Sequence, residues 1–371
     1  MRILTEGQQI RDTYVVERFL GEGAFAEVYR VKHRFFGRLA MKVLKSSSMT
    51  VAEIEEMLGE AILLSRIGHP NIVRVYEANL VETRRGSRGF FTMEYVAAGT
   101  LEDFWRSFGT TYVPVDTAVE LVRQACRGLA VAHRANPPIV HRDVKPQNIL
   151  VGYDDAGELR ARLSDFGLAK TVNPLTMLAS GKGTLRFKPP EVIKDYKSDS
   201  CAGDVWALGS TLYMLLTDRL PYAAVNDDDA YDLKHFETPL IPPSRLNVQV
   251  DSGLDQIVFR SLAVQTQGSG ARYATAQDFL GDLEKWKLKP AASTDIKSAS
   301  SSGDKSRAVF GTPSPADEAA ARRMAAEAIE IARDPSQLQE AADLMEQAFN
   351  KCPDLRSRHE HRLKLWRKGI G

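Results

Sequence analysis

The octet His141-Arg142-Asp143-Val144-Lys145-Pro146-Gln147-Asn148, followed by Asp165-Phe166-Gly167, constrains this chain more than any other feature of its sequence. It sets a carboxylate able to act as a base, a lysine and an amide oxygen within one short run, with a second carboxylate close behind. Oxygen donors of this kind suit a hard divalent cation. A lysine beside a carboxylate suits chemistry in which a proton is removed while developing charge is neutralised. Phosphoryl transfer has these needs, since it asks for little covalent help and much positioning.

The octet and the Asp-Phe-Gly triplet resemble the catalytic loop and the metal loop of the protein kinase superfamily. The resemblance implies that Asp143 accepts the proton of an attacking hydroxyl and that Lys145 neutralises charge on the transferred group. It also implies that Asn148 and Asp165 hold Mg2+, with Mn2+ as a substitute, against the phosphates of ATP.

Other landmarks of the same family stand in the expected order. Leu20-Gly21-Glu22-Gly23-Ala24-Phe25-Ala26-Glu27-Val28 resembles the glycine-rich loop over the triphosphate, with Ala26 where the family usually has a third glycine. A Gly-x-Gly alone is more often an ordinary turn. Here Leu39-Ala40-Met41-Lys42-Val43 follows at the family's spacing and carries a lysine, Lys42, that, by resemblance, grips the phosphates.

Residues 50–67 are helix-like, with Ile54, Met57, Leu58, Ala61 and Leu64 spaced for one apolar face. Glu60 then resembles the glutamate that pairs with this lysine. Glu53, Glu55 and Glu56 are acidic too, and a solvated charged face accounts for most of these carboxylates.

Phe91-Thr92-Met93-Glu94-Tyr95-Val96 resembles the hinge. Met93 would stand at the back of the adenine pocket, Glu94 and Val96 would meet the adenine edge through their backbones, and Val28, Ala40 and Leu150 would cover its faces. Plain core packing explains each of these apolar residues equally well.

Gly183-Thr184-Leu185-Arg186-Phe187-Lys188-Pro189-Pro190-Glu191 resembles the end of the activation segment, with Pro189 in place of the usual alanine. Glu191 is expected to pair with Arg272, and Asp204 is expected to anchor the catalytic loop from below. Lys145 together with Thr184 resembles the serine/threonine class, so the implied substrates are protein hydroxyls. Small-molecule phosphotransferases share the aspartate and asparagine but lack the Gly-Thr to Pro-Pro-Glu segment. Arg142 could pair with a phosphate on the activation loop, where Thr171, Thr176 and Ser180 are the candidate acceptors, or these hydroxyls could simply be exposed loop residues.

The resemblance implies an α+β, bilobal protein kinase fold over residues 14–288, with an N-lobe to about residue 96 and a mainly helical C-lobe from 97. Its flavour is that of the bacterial eukaryotic-like serine/threonine kinases. Residues 289–315 read as a flexible linker of Ala, Ser, Thr, Lys and Gly without apolar periodicity. Residues 316–371 read as a helical appendage. Ala341, Met345, Ala348 and Pro353 match the second helix of a tetratricopeptide repeat, and Ala325, Ala328 and Ala332 stand in the first. A generic helical hairpin fits as well.

The stretch 356–368 is basic, with Leu363, Leu365 and Trp366 interleaved, and reads as a capping helix or solvated face, with an anionic partner or membrane surface as the alternative. Asp227-Asp228-Asp229 reads as an exposed acidic loop.

A formal net charge of +1 gives no general case for nucleic acid. Three cysteines without metal-ligand or paired spacing imply a reducing, cytoplasmic setting. No signal peptide, transmembrane stretch or anchor is expected. Protein partners are expected for the helical appendage. The rival reading is a pseudokinase-like scaffold that binds ATP without catalysis, whose mark would be loss of Lys42, Asp143, Asn148 or Asp165. All four are present.

Overall fold

The computed structural model describes residues 2–23, 26–47, 50–84, 86–96, 99–108, 112–154, 158–166, 185–222, 233–286, 315–352, 354–367 and 369–370. They fall into two compact units, Met1–Trp286 and Lys287–Gly371. The expected linker, the activation-loop hydroxyls Thr171, Thr176 and Ser180, the acidic run Asp227–Asp229, and Ala24, Phe25 and Thr184 lie outside the described residues.

The first unit opens with an antiparallel six-stranded sheet of β1 (Gln9–Ile10), β2 (Tyr14–Glu22), β3 (Ala26–His33), β4 (Gly37–Ser47), β5 (Val75–Thr83) and β6 (Gly86–Glu94), in the order β1-β2-β3-β4-β6-β5. Side chains alternate between its faces. Tyr14, Val16, Tyr29, Val31, Leu39, Met41, Val43 and Phe90 form one core, to which Leu4 and Ile10 upstream also belong. Ala26, Ala40, Phe91 and Met93 turn to the other side, with Val28 and Leu150 packed against them. Period two therefore puts Lys42 on the same face as Ala40. Register agrees, with Lys42 opposite Val28 and Ala40 opposite Met93.

The helix expected over 50–67 is two pieces, α1 (Val51–Met57) and α2 (Gly59–Ile67). Thr50 and Glu53 form a capping box at the start. The break falls at Leu58, before Gly59, where a residue without a side chain favours the helix least among non-prolines. Ile54, Leu58 and Leu64 are buried, so the expected apolar face is retained across the break.

Below the sheet lie α3 (Leu101–Arg106), α4 (Val115–His133), a hairpin of β7 (Ile149–Tyr153) and β8 (Leu159–Leu163), α5 (Pro190–Lys194), α6 (Cys201–Thr217), α7 (Pro243–Leu246), α8 (Ser252–Ser261) and α9 (Ala276–Lys285). Helix α6 is buried all round from Gly203 to Thr217, as suits the central helix of a large lobe. Gly128 in α4 permits a close approach, since a Cβ there would lie 2.7 Å from the Asn71 carbonyl oxygen.

The second unit holds α10 (Pro315–Ile331), α11 (Leu338–Lys351) and α12 (Asp354–Arg367). Ala325, Ala328, Ala341, Met345 and Ala348 are buried in one core with Ala332 packed against it, which fits a generic helical hairpin as well as a tetratricopeptide unit, and Pro353 lies outside the described residues. Asp334 accepts the Ser336 N–H to cap a short 3-10 turn, and α11 begins after it. The basic stretch is a third helix that buries Leu355, Leu363 and Trp366 in the same core, with Arg362 stacked over Trp366 at 5.8 Å.

Candidate active site

Helix α6 supplies the foundation of the site. Ser200 caps it by accepting the Gly203 N–H, and Asp204 follows in its first turn, 3% exposed. The Asp204 carboxylate accepts from the backbone N–H of His141 (2.7 Å) and of Arg142 (3.0 Å) and pairs with His133 Nε2 (3.0 Å) at the end of α4. Two successive amides can point at one carboxylate because Arg142 takes a left-handed backbone, φ 69°. Burial pushes the Asp204 carboxyl up, but His133 and His141 outweigh burial and hold it below the usual carboxylate range.

His133 Nδ1 accepts the Ala276 N–H at 3.1 Å. The ring therefore carries its proton on Nε2, toward Asp204.

His141 joins the catalytic loop to the metal loop. Its Nε2 contacts the Ser164 carbonyl oxygen at 2.9 Å, its Nδ1 accepts the Asp143 N–H at 3.3 Å, and its ring lies 4.4 Å from that of Phe166. Ser164 in turn donates its N–H and its hydroxyl to the Asn148 carbonyl. Asp165 then leaves β8 with a left-handed backbone, φ 66°.

The reactive groups converge on this frame. Asp143 Oδ2 meets Lys145 Nζ at 2.9 Å and accepts Asn148 Nδ2 at 2.9 Å, and Asn148 Nδ2 also donates to the Asp143 carbonyl at 2.8 Å. Lys42 Nζ meets Asp165 Oδ2 at 2.7 Å. Lys42 thus reaches across from the sheet to the metal loop, and its described carboxylate partner is Asp165. The Glu60 side chain, the partner expected from sequence, lies outside the described residues, although its backbone is in α2.

The second oxygens, Asp143 Oδ1 and Asp165 Oδ1, are buried without a hydrogen-bond partner among the described residues. A buried acceptor left unmade is costly. Each of these oxygens keeps acceptor capacity for a proton donor or a hard cation. Asn148, its Nδ2 already engaged, offers an amide oxygen as well. Among the described residues no cluster of three or more His, Cys, Asp or Glu side chains could hold a metal. Asp165 and Asn148 offer oxygen donors of the kind that a hard divalent cation takes.

The remaining sequence-predicted residues fall around this centre. Leu20, Gly21 and Glu22 end β2, and Gly23 N–H donates to the Ala26 carbonyl at 2.9 Å, closing the strand turn. Ala26, Val28, Ala40, Met93 and Leu150 share one apolar cluster. Glu94 donates its N–H to the Arg74 carbonyl and pairs through its carboxylate with Arg162 at 3.2 Å, fixing the strand end before Val96. Glu191 and Arg272 form the expected pair, bidentate at 2.7 and 3.1 Å.

Three positioning residues escaped sequence reasoning. His133 is a lone histidine in an apolar helix, and no motif marks it. His141 stands inside the octet but has no chemical role that spacing reveals. Lys188 donates to the Arg142 carbonyl and lies 3.7 Å from Asp199, a contact between segments distant in sequence.

A small strand-rich lobe bearing a lysine and a large helical lobe bearing a base, an amide and a second carboxylate define a phosphotransferase-type fold and site. The chain belongs to the protein kinase family: the protein kinase domain model matches residues 14–364. It is 31% identical over 286 residues to the serine/threonine-protein kinase PknB of Mycolicibacterium smegmatis, covering 76% of this chain and 44% of that one. A probable serine/threonine-protein kinase of Clostridium perfringens is 29% identical over 303 residues, covering 79% of this chain and 41% of the relative. The chain therefore spans less than half the length of these curated relatives. The PknI kinase domain of Mycobacterium tuberculosis superposes with a TM-score of 0.54 at 24% identity, over 76% of this chain and 98% of that domain, and shares its fold.

Proposed function

We propose that this protein transfers the γ-phosphoryl group of ATP to serine or threonine hydroxyls of protein substrates. The observation that carries the reading is the split in Asp143. One oxygen is gripped by Lys145 and Asn148, while the other is buried and lacks a partner among the described residues. An incoming hydroxyl can donate to that second oxygen, which then takes its proton as the oxygen attacks phosphorus. Lys145 stays beside the carboxylate and offsets charge on the transferred group. Lys42 orients the phosphates from the opposite lobe. Magnesium on Asn148 and Asp165 would supply charge neutralisation at the phosphate oxygens.

The scaffold reading is not favoured, because all four residues whose loss would mark it are present, with Lys42 paired to Asp165 and Asn148 bonded to Asp143. Phosphorylation of Thr171, Thr176 or Ser180 remains part of the proposal, with Arg142 as the phosphate's partner, and so does a role for Thr184 at the substrate. The helices of the second unit are proposed as a docking element for protein partners. Three unpaired cysteines support a cytoplasmic setting. Among the described residues no helix is long and apolar enough to cross a membrane.

Phosphoamino acid analysis of a labelled protein substrate tests the class. Label on serine or threonine is expected, and label confined to tyrosine would contradict the proposal.

A further inference from the structure

Residues 2–4 precede the stretch that matches the protein kinase domain, yet they are built into the sheet. Leu4 is 1% exposed, in the core that holds Tyr14, Val16 and Tyr29. Gly7 donates its N–H to the Val16 carbonyl at 2.8 Å, and the Gln8 carbonyl accepts the Val16 N–H at 2.9 Å, so the pairing of β1 with β2 runs back toward these residues.

Their contacts fall on both arms of the glycine-rich hairpin. On the outgoing arm, β2, the Arg2 guanidinium lies 4.1 Å from the Phe19 ring centroid, within range of a cation–π contact. On the returning arm, β3, Glu27 Oε2 accepts the Ile3 N–H at 2.8 Å and also the Tyr29 hydroxyl, and that hydroxyl accepts the Leu4 N–H at 3.0 Å. Two successive amides are thus taken up by two side chains that share one face of β3. Both side chains are buried. Burial and the bond to Glu27 push Tyr29 up to about 12, so its hydroxyl keeps the proton that it donates. Phe19 closes the set, its ring meeting that of Tyr29 edge-on at 5.6 Å.

The opposite face of the same arm belongs to the candidate nucleotide site. Ala26 and Val28 alternate with Glu27 and pack with Ala40 and Met93, and the Ala26 carbonyl accepts the Gly23 N–H. The ladder between the two arms is irregular here, with register shifts between Val16 and Arg18 and between Phe19 and Gly21. Such a shift bends a strand and interrupts its pairing. Where its own ladder is interrupted, the hairpin depends on what braces it from behind.

We propose that residues 2–4 form a clasp on the glycine-rich hairpin, with Glu27 and Tyr29 as positioning residues that set how closely the hairpin holds ATP. The proposal rests on the ATP reading of the neighbouring site and adds to it the residues that tune its affinity from the far side of the sheet.

The test compares the full native chain with Glu27→Ala, Glu27→Gln and Tyr29→Phe, measuring KM for ATP and for a serine peptide with magnesium. Direct titration with ATP gives the same comparison without turnover. Glu27→Ala leaves the Ile3 amide and the Tyr29 hydroxyl without their acceptor and should raise the KM for ATP about tenfold, while that for the peptide moves less than about twofold. Glu27→Gln keeps an acceptor oxygen at the same reach and should restore most of the native value. Tyr29→Phe keeps the buried ring but removes the bridging hydroxyl, so it should raise the KM for ATP about threefold and carries the test where Glu27→Ala does not fold. Neither constant depends on the fraction of enzyme that has folded.

ATP constants within about twofold of native in both Glu27→Ala and Tyr29→Phe would overturn the clasp while leaving phosphoryl transfer intact. So would constants for ATP and peptide that rise together, or a Glu27→Gln chain as impaired as Glu27→Ala. A native chain that neither binds ATP nor transfers phosphate would overturn the ATP reading and the clasp together.

Discussion

A single carboxylate, Asp204, holds two backbone amides of the catalytic loop and the end of α4 in one arrangement. Removing it leaves buried donors facing a cavity, which costs about 3 kcal/mol. Asp204→Ala should lose about that much stability in urea unfolding. Its phosphoryl transfer should fall at least a hundredfold, because Arg142 and Asp143 lose the anchor that orients them. The pH dependence has a definite sign. Asp204 titrates below an unfolded aspartate, so its contribution is fully present above about pH 4 and is lost as pH falls through the lowered folded value. Asp204→Asn should flatten the acid limb of the stability curve of the first unit below about pH 4, and an unchanged limb would contradict this assignment. Asp204, Asp143, Asn148 and Asp165 were legible in the sequence because each belongs to a short motif. His133 was not, since its role arises only where α4 ends against α6.

At the scale of elements, Arg272 shows how one side chain can join three. Fully buried, it grips Glu191 at the start of α5 and donates to the Ala202 carbonyl at 3.2 Å and the Ala263 carbonyl at 2.9 Å. Its guanidinium also lies 4.7 Å from the Trp206 ring centroid. Arg272→Met keeps much of the stem but leaves Glu191 and two carbonyls without their donor. It should cost about 3 kcal/mol in chemical denaturation, and a cost below about 1 kcal/mol would show that the pair is weakly coupled to the fold.

In the second unit, burial together with Arg362 and Arg358 pulls His359 down to about 4. The folded state then binds fewer protons than the unfolded state between about pH 6.5 and 4, so stability should fall as pH drops through that window. Circular dichroism of thermal melts should show the helices of this unit weakening between pH 7 and 5, and His359→Gln should remove most of that slope. The broken helix over 50–67 was only half legible. Its apolar spacing is continuous, and a lone glycine such as Gly59 inside a helical pattern does not by itself mark a break.

At the scale of the molecule, each unit carries its own hydrophobic core. Calorimetry should therefore resolve two transitions, and a chain ending at Trp286 should keep the one belonging to the first unit. A single transition lost on truncation would contradict separate cores. The lobes could be anticipated because ordered motifs fix which strand and which loop must face each other. The third helix of the second unit was half legible, because its charge left a capping helix and a solvated face both open while Leu355, Leu363 and Trp366 decide its packing.

Asp143 is proposed as the base of a phosphoryl transfer supported by Lys42, Asn148 and Asp165. Incorporation of label from γ-labelled ATP with magnesium into a protein substrate, comparing the native chain with Asp143→Asn, tests it most directly. The native chain should label serine or threonine, and Asp143→Asn should fall by about a thousandfold while still binding nucleotide. Equal labelling by both proteins, or none by the native chain despite nucleotide binding, would contradict it.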